Sequence, residues 1–165
     1  MLIAIRKRLQ DKEEGFTLIE LMVVVLIIAI LIAIAIPTFL GARKRAQDRA
    51  AQSNIRNAFT AEKTIYTDAQ AYAAHDDDLD GSGSADLAEI EPSLTFVNTD
   101  PPTATGNTVS IVLVGSTVYV MGKSASGACF YLRDNATGAT EYAKDTANSP
   151  CLASGGALTW STTPW

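Results

Sequence analysis

The stretch from Gly15 to Gly41 reads GFTLIELMVVVLIIAILIAIAIPTFLG. Between Leu18 and Ile36 it holds one charged side chain, Glu20. A segment of about 20 consecutive apolar residues is long enough to cross a bilayer as a helix. The run is rich in β-branched residues, yet a lone segment in lipid has to be helical to satisfy its own backbone. A short charged leader, MLIAIRKRLQDKEEG, precedes it. The acid within the run needs an explanation, because a carboxylate in hydrocarbon is costly and commonly functional. The plainer alternative is an acid close to the interface that snorkels out of the lipid.

Around this segment the chain has 165 residues and a formal net charge of −5. Beyond the leader and the apolar run, roughly 120 residues remain, enough for one modest core. The acidic excess lies mostly beyond Tyr66, which argues against nucleic acid as a partner, since phosphate binding calls for concentrated Lys and Arg. The basic cluster Arg43, Lys44, Arg45 and Arg49 follows the apolar run directly and suits lipid headgroups or neighbouring acids. Four basic residues, Arg6, Lys7, Arg8 and Lys12, also precede the run, so charge leaves its orientation open. A secretory signal would end in a small-residue cleavage site and be removed whole. Here the helical pattern continues through IAIPTFLGARKRA. A plain signal anchor is the competing reading.

Cys129 and Cys151 are the two cysteines, without a CxxC spacing for zinc or redox chemistry. In a chain whose bulk is exported they read as one disulfide, closing a loop of roughly 20 residues for about 3 kcal/mol. Two free core thiols are the alternative.

Residues Gly15 to Glu20, G-F-T-L-I-E, together with the short basic leader, the unbroken apolar run and Pro37, resemble the processing and assembly motif of type IV pilins. The resemblance covers roughly the first 60 residues, and the pseudopilins of type II secretion share it. It implies an α+β fold of lollipop form, with a long N-terminal helix, half membrane-spanning and half amphipathic, on a four-stranded antiparallel sheet. It divides the chain into a leader (1–15), a membrane-spanning and filament-core half-helix (16–41), an amphipathic half-helix (42–74) and a head with a C-terminal disulfide loop (75–165). It implies cleavage by a prepilin peptidase between Gly15 and Phe16, N-methylation of Phe16, and a single-pass membrane precursor that becomes an extracellular helical homopolymer. An inner-membrane platform, an assembly ATPase and minor pilins would be the further partners. The resemblance also settles the orientation, with the leader cytoplasmic and the head exported. Glu20 would pair with the free Phe16 amine of the next subunit, fixing register more than adding stability. The alternative within the resemblance is a major pseudopilin of type II secretion or a minor pilin. Such pseudopilins often carry a C-terminal calcium site and no disulfide, so Cys129 and Cys151 point to the pilus side.

Pro37 removes a backbone donor and should loosen or kink the helix, with Gly41 as a second weak point. Beyond it, Ala51, Ile55, Ala58, Phe59, Glu62, Ile65, Tyr66, Ala69 and Tyr72 recur at helical spacing and form the face for a sheet. The other faces carry Arg45, Asp48, Arg49, Arg56 and Lys63 for solvent or subunit contacts. A helix from Phe16 to about Ala74 would span about 88 Å.

His75 to Ala85, HDDDLDGSGSA, is a loop by composition. Asp76, Asp78, Asp80 and Gly81 are similar to the opening of a calcium loop, but the twelfth position is Leu87 rather than Glu, so a solvated acidic turn without metal is expected, with a calcium loop as the alternative. Asp86 to Pro92 suggests a helical turn. Strands are expected at Thr108 to Val114, Thr117 to Gly122 and Ala128 to Arg133, with weaker candidates at Leu94 to Val97 and Gly138 to Tyr142, arranged as an antiparallel meander. Trp160 and Trp165 are candidates to cover the edge of the core. Nucleophile–base pairs, phosphate-cradling glycine loops and ligand clusters are not evident, so a structural protein without cofactor is expected rather than an enzyme.

Overall fold

The computed structural model describes residues 15–76, 86–146, 151–154 and 156–165. Residues 1–14 of the leader, and Asp78, Asp80 and Gly81 of the acidic loop, lie outside the described residues. The chain divides into two compact units, Met1–Ala42 and Arg43–Trp165.

In the first unit, helix α1 (Leu18–Ala69) begins, and it continues into the second. Its hydrogen-bonded pattern runs unbroken through Pro37. The Thr38 hydroxyl donates to the carbonyls of Ile34 and Ala35 at 3.2 and 2.9 Å, adding bonds on the turn where proline removes a backbone donor.

In the second unit, α1 buries Ala51, Ile55, Ala58, Ala61, Glu62 and Ile65. This is the predicted stripe with Ala61 added, whereas Phe59 and Tyr66 are half-buried and Ala69 is exposed. The helix ends at Ala69, about five residues earlier than its periodicity suggests. Gln70 takes a left-handed conformation (φ 56°) with its N–H on the Tyr66 carbonyl at 2.9 Å, which closes the last turn. The chain then doubles back, the Ala73 N–H donating to Glu62 Oε2 at 3.2 Å and Tyr72 lying 4.8 Å from Tyr66 between ring centroids. Tyr72 thus belongs to the core from a loop rather than from the helix.

A short helix α2 (Asp86–Ile90) precedes five strands: β1 (Thr95–Val97), β2 (Thr108–Val114), β3 (Thr117–Lys123), β4 (Cys129–Asp134) and β5 (Glu141–Asp145). They form one sheet in the order β1-β2-β3-β4-β5. The sheet therefore has five strands, not the expected four. Strands β2 to β5 are the antiparallel meander, and β1 adds a parallel pair with β2. The reason is the connection: residues 98–107, with Pro101 and Pro102, carry the chain back to re-enter the sheet in the same direction. The β2–β3 hairpin turns on Gly115 (φ 63°) and Ser116, a two-residue loop that needs glycine at its first position. Strand β5 begins at Glu141 instead of Gly138, because Asn135 holds the preceding turn. Its carbonyl accepts the Gly138 N–H at 2.8 Å, and its side-chain oxygen accepts the Thr137 hydroxyl at 2.8 Å.

The period-2 alternation of the strands separates two apolar layers. Val109, Ile111, Val118, Val120, Phe130 and Leu132 join the α1 stripe. Met121, Cys129, Tyr131 and Ala143 gather on the other side with Cys151, Trp160 and Leu158. On the helix-facing side of β3, a Cβ on Gly122 would stand 3.2 Å from the Ile55 side chain.

Candidate functional site

In the first unit the motif surrounds the start of α1. Among the described residues, a Cβ on Gly15 would meet nothing within 4 Å, and Phe16 is 87% exposed. Thr17 and Glu20 form a reciprocal capping box. Glu20 Oε2 accepts the Thr17 N–H at 2.9 Å and the Thr17 hydroxyl at 2.7 Å, while Thr17 Oγ1 accepts the Glu20 N–H at 3.3 Å. This gives Glu20 a role within its own chain that reasoning from the apolar run missed. The signal was legible as T-x-x-E immediately before an apolar run. Both bonds to the carboxylate fall on Oε2, which leaves Oε1 available to a second donor. Pro37 and Gly41 lie within the helix, Pro37 exposed and Gly41 half-buried.

In the second unit, Cys129 at the start of β4 is bridged to Cys151, with their Cα atoms 5.9 Å apart. The bridge starts a strap that runs over the sheet. The Tyr131 hydroxyl donates to the Leu152 carbonyl at 2.7 Å, and Asp145 Oδ2 accepts the Leu152 N–H at 3.3 Å. Burial pushes the Tyr131 hydroxyl far up, with Asp145 adding to the shift against the Leu152 bond, so Tyr131 stays a neutral donor. Asp100 accepts the Ser154 N–H at 2.7 Å and its hydroxyl at 2.6 Å. Ser161 exchanges backbone bonds with Tyr142, which covers part of the β5 edge. Trp160 packs edge-on against Tyr119 with Arg133 over its ring at 4.2 Å. Trp165 packs edge-on against both Phe130 and Tyr142, and its indole N–H donates to the Ala143 carbonyl at 2.6 Å.

One polar cluster ties α1 to the sheet. Lys63 Nζ donates to Asp134 Oδ2 at 2.7 Å and to the Tyr72 hydroxyl at 2.6 Å, Tyr72 donates to Asp134 Oδ2, and the Thr140 hydroxyl donates to Asp134 Oδ1 at 2.6 Å. Burial, at 3% side-chain exposure, pushes the Asp134 carboxyl upward. The bonds from Lys63, Thr140 and Tyr72 outweigh it and hold the carboxyl below the usual carboxylate range. Burial and Asp134 together push Tyr72 up, against Lys63. Lys63 and Asp48 thus serve the fold rather than solvent alone, since Asp48 accepts a hydrogen bond from Ser126. Among the described residues, no group of three or more His, Cys, Asp or Glu is placed to hold a metal ion.

Residues 10–36 match the family described as the prokaryotic N-terminal methylation motif. The chain is 42% identical over 66 residues to the type IV major pilin protein PilA of Myxococcus xanthus, covering 40% of this chain and 30% of that protein. It is 42% identical over 62 residues to the type IV wide pilus major component PilA4 of Thermus thermophilus, covering 38% and 47% respectively. It is also 42% identical over 48 residues to the type II secretion system core protein G of Escherichia coli, covering 29% and 33%. The matched regions span 30 to 47% of the length of these relatives. The chain thus carries the prokaryotic N-terminal methylation motif over residues 10–36 and is similar, over 48 to 66 residues, to two type IV pilus components and a type II secretion core protein.

Proposed function

We propose that this chain is a structural subunit of a type IV pilus. In this reading residues 1–15 are a leader that a prepilin peptidase removes between Gly15 and Phe16, followed by methylation of the new Phe16 amine. Residues 16–41 cross the membrane before assembly and form the filament core after it. Residues 42–74 carry the helix onto the sheet, and 75–165 are the displayed head. The observation that carries the reading is the surface of α1: every large apolar side chain between Leu18 and Leu40 is about half exposed or more. Such a surface requires lipid or further copies of itself. Pro37 and Gly41 provide the place where the stem can loosen as subunits exchange one environment for the other. An inner-membrane platform, an assembly ATPase and minor pilins supply the work and initiation.

Glu20 supplies the register. Its free Oε1 takes the Phe16 amine of the adjacent copy while Oε2 keeps the capping box. Sheared surface filaments, counted by electron microscopy, test this directly. Glu20→Ala should lower filament yield by about tenfold or more, equivalent to about 1.4 kcal/mol per decade, while the mature monomer stays in the membrane. Normal yield and helical register in that variant would remove Glu20 from the assembly step. A second reading, a major pseudopilin of a secretion system, draws on the similarity to the E. coli core protein. The Cys129–Cys151 strap supports the pilus reading over it.

A further inference from the structure

We infer that Arg43, Lys44, Arg45 and Arg49 form a collar that binds the phosphates of anionic phospholipids in the leaflet nearest the head. The inference rests on the reading of residues 16–41 as a bilayer span. From Leu21 to Ala42 the chain carries no charged side chain. As helix this run rises about 33 Å, against a hydrocarbon thickness of about 30 Å. The sequence therefore leaves hydrocarbon where the four cations begin.

All four side chains are exposed, and among the described residues none of them has an ion pair or a hydrogen bond. The one acid among them, Asp48, is already engaged by the Ser126 hydroxyl and lies 4.0 Å from Lys144 Nζ, so it does not neutralise the collar. The buried positions of α1 begin at Ala51, beyond the four cations. At about 100° per residue, Arg43, Lys44, Arg45 and Arg49 project at roughly 0°, 100°, 200° and 240° around the helix axis. A single protein partner would meet one face of the helix. A headgroup layer meets all of them, and this distribution selects lipid over an acidic protein surface. Each cation near an anionic bilayer strengthens association by about fivefold.

The test is electron spin resonance of the full chain in phosphatidylcholine vesicles containing a minority of phosphatidylglycerol, with spin-labelled versions of each lipid. The labelled phosphatidylglycerol should be motionally restricted by the protein several-fold more than phosphatidylcholine, and less so in high salt. Replacing all four collar residues by Gln should lower that preference by at least about fivefold. Arg43→Lys, Arg45→Lys and Arg49→Lys together should keep it. Replacing Arg6, Lys7, Arg8 and Lys12 by Gln should leave most of it. No preference in the unmodified chain, a preference untouched by the collar substitutions, or one lost only with the leader substitutions would overturn the inference. So would collar substitutions that weaken self-association and leave lipid preference intact. Extraction of the chain by alkaline carbonate would defeat the bilayer reading itself, and is scored separately from lipid preference.

Discussion

Asp134 is held by donors from three parts of the chain, and its chemistry sets how the head responds to acid. Its carboxyl ionises below the usual carboxylate range in the folded state. The unfolded chain, with an ordinary Asp near 3.9, therefore binds the proton first as pH falls. The stabilisation is present in full above that value and is lost as pH drops through the lowered folded value. Asp134→Asn should cost about 1.5–3 kcal/mol at neutral pH, the range for hydrogen bonds to a charged group. Urea titrations at several pH values should show the variant losing less further stability than the parent below about pH 4. A second residue-scale expectation concerns Thr17. Thr17→Val removes the hydroxyl of the capping box and should cost about 1 kcal/mol in the first turn. Amide exchange at Ile19 and Glu20, measured by NMR in micelles, should speed up while the middle of α1 is unchanged. None of the Asp134 cluster was legible in the sequence, because Tyr72 and Lys63 stand 62 and 71 residues away from it. The capping box was legible, since its four residues are contiguous.

At the scale of elements, periodicity located the α1 stripe because side chains three and four apart share a face whatever the tertiary context. It overran the helix end because the stop is Gln70 in a left-handed conformation, where glycine or asparagine is the usual signal. The Gly115-Ser116 hairpin was readable from two residues, whereas the parallel pairing of β1 depends on the path of a ten-residue connection that carries no comparable code. At Gly122 an added Cβ would stand 3.2 Å from the Ile55 side chain, so the position has little room for a larger residue. Gly122→Val should destabilise the head by about 1–3 kcal/mol through overpacking. Ile55→Val should recover part of that loss in a double-mutant cycle of thermal melts, since the two side chains compete for one space.

Across the whole molecule, the sequence carried both units but not how the second is closed. The apolar run, the motif at Gly15 to Glu20 and the two cysteines were visible directly. The strap was visible only as a pair of tryptophans and a cysteine. In the structure Trp160 and Trp165 fall into different apolar layers, one on each side of the sheet. Cys129→Ser with Cys151→Ser should therefore cost about 2–5 kcal/mol and lower the melting temperature of the head, as should a reductant acting on the parent chain.

The central claim is that the chain is cut before Phe16 and polymerises through the helix so released. Intact-mass spectrometry of sheared surface filaments tests it most directly. The predicted species is Phe16 to Trp165 with one added methyl group and two hydrogens fewer for the Cys129–Cys151 bridge. A filament-free membrane fraction holding a chain that still begins at Met1 would contradict it.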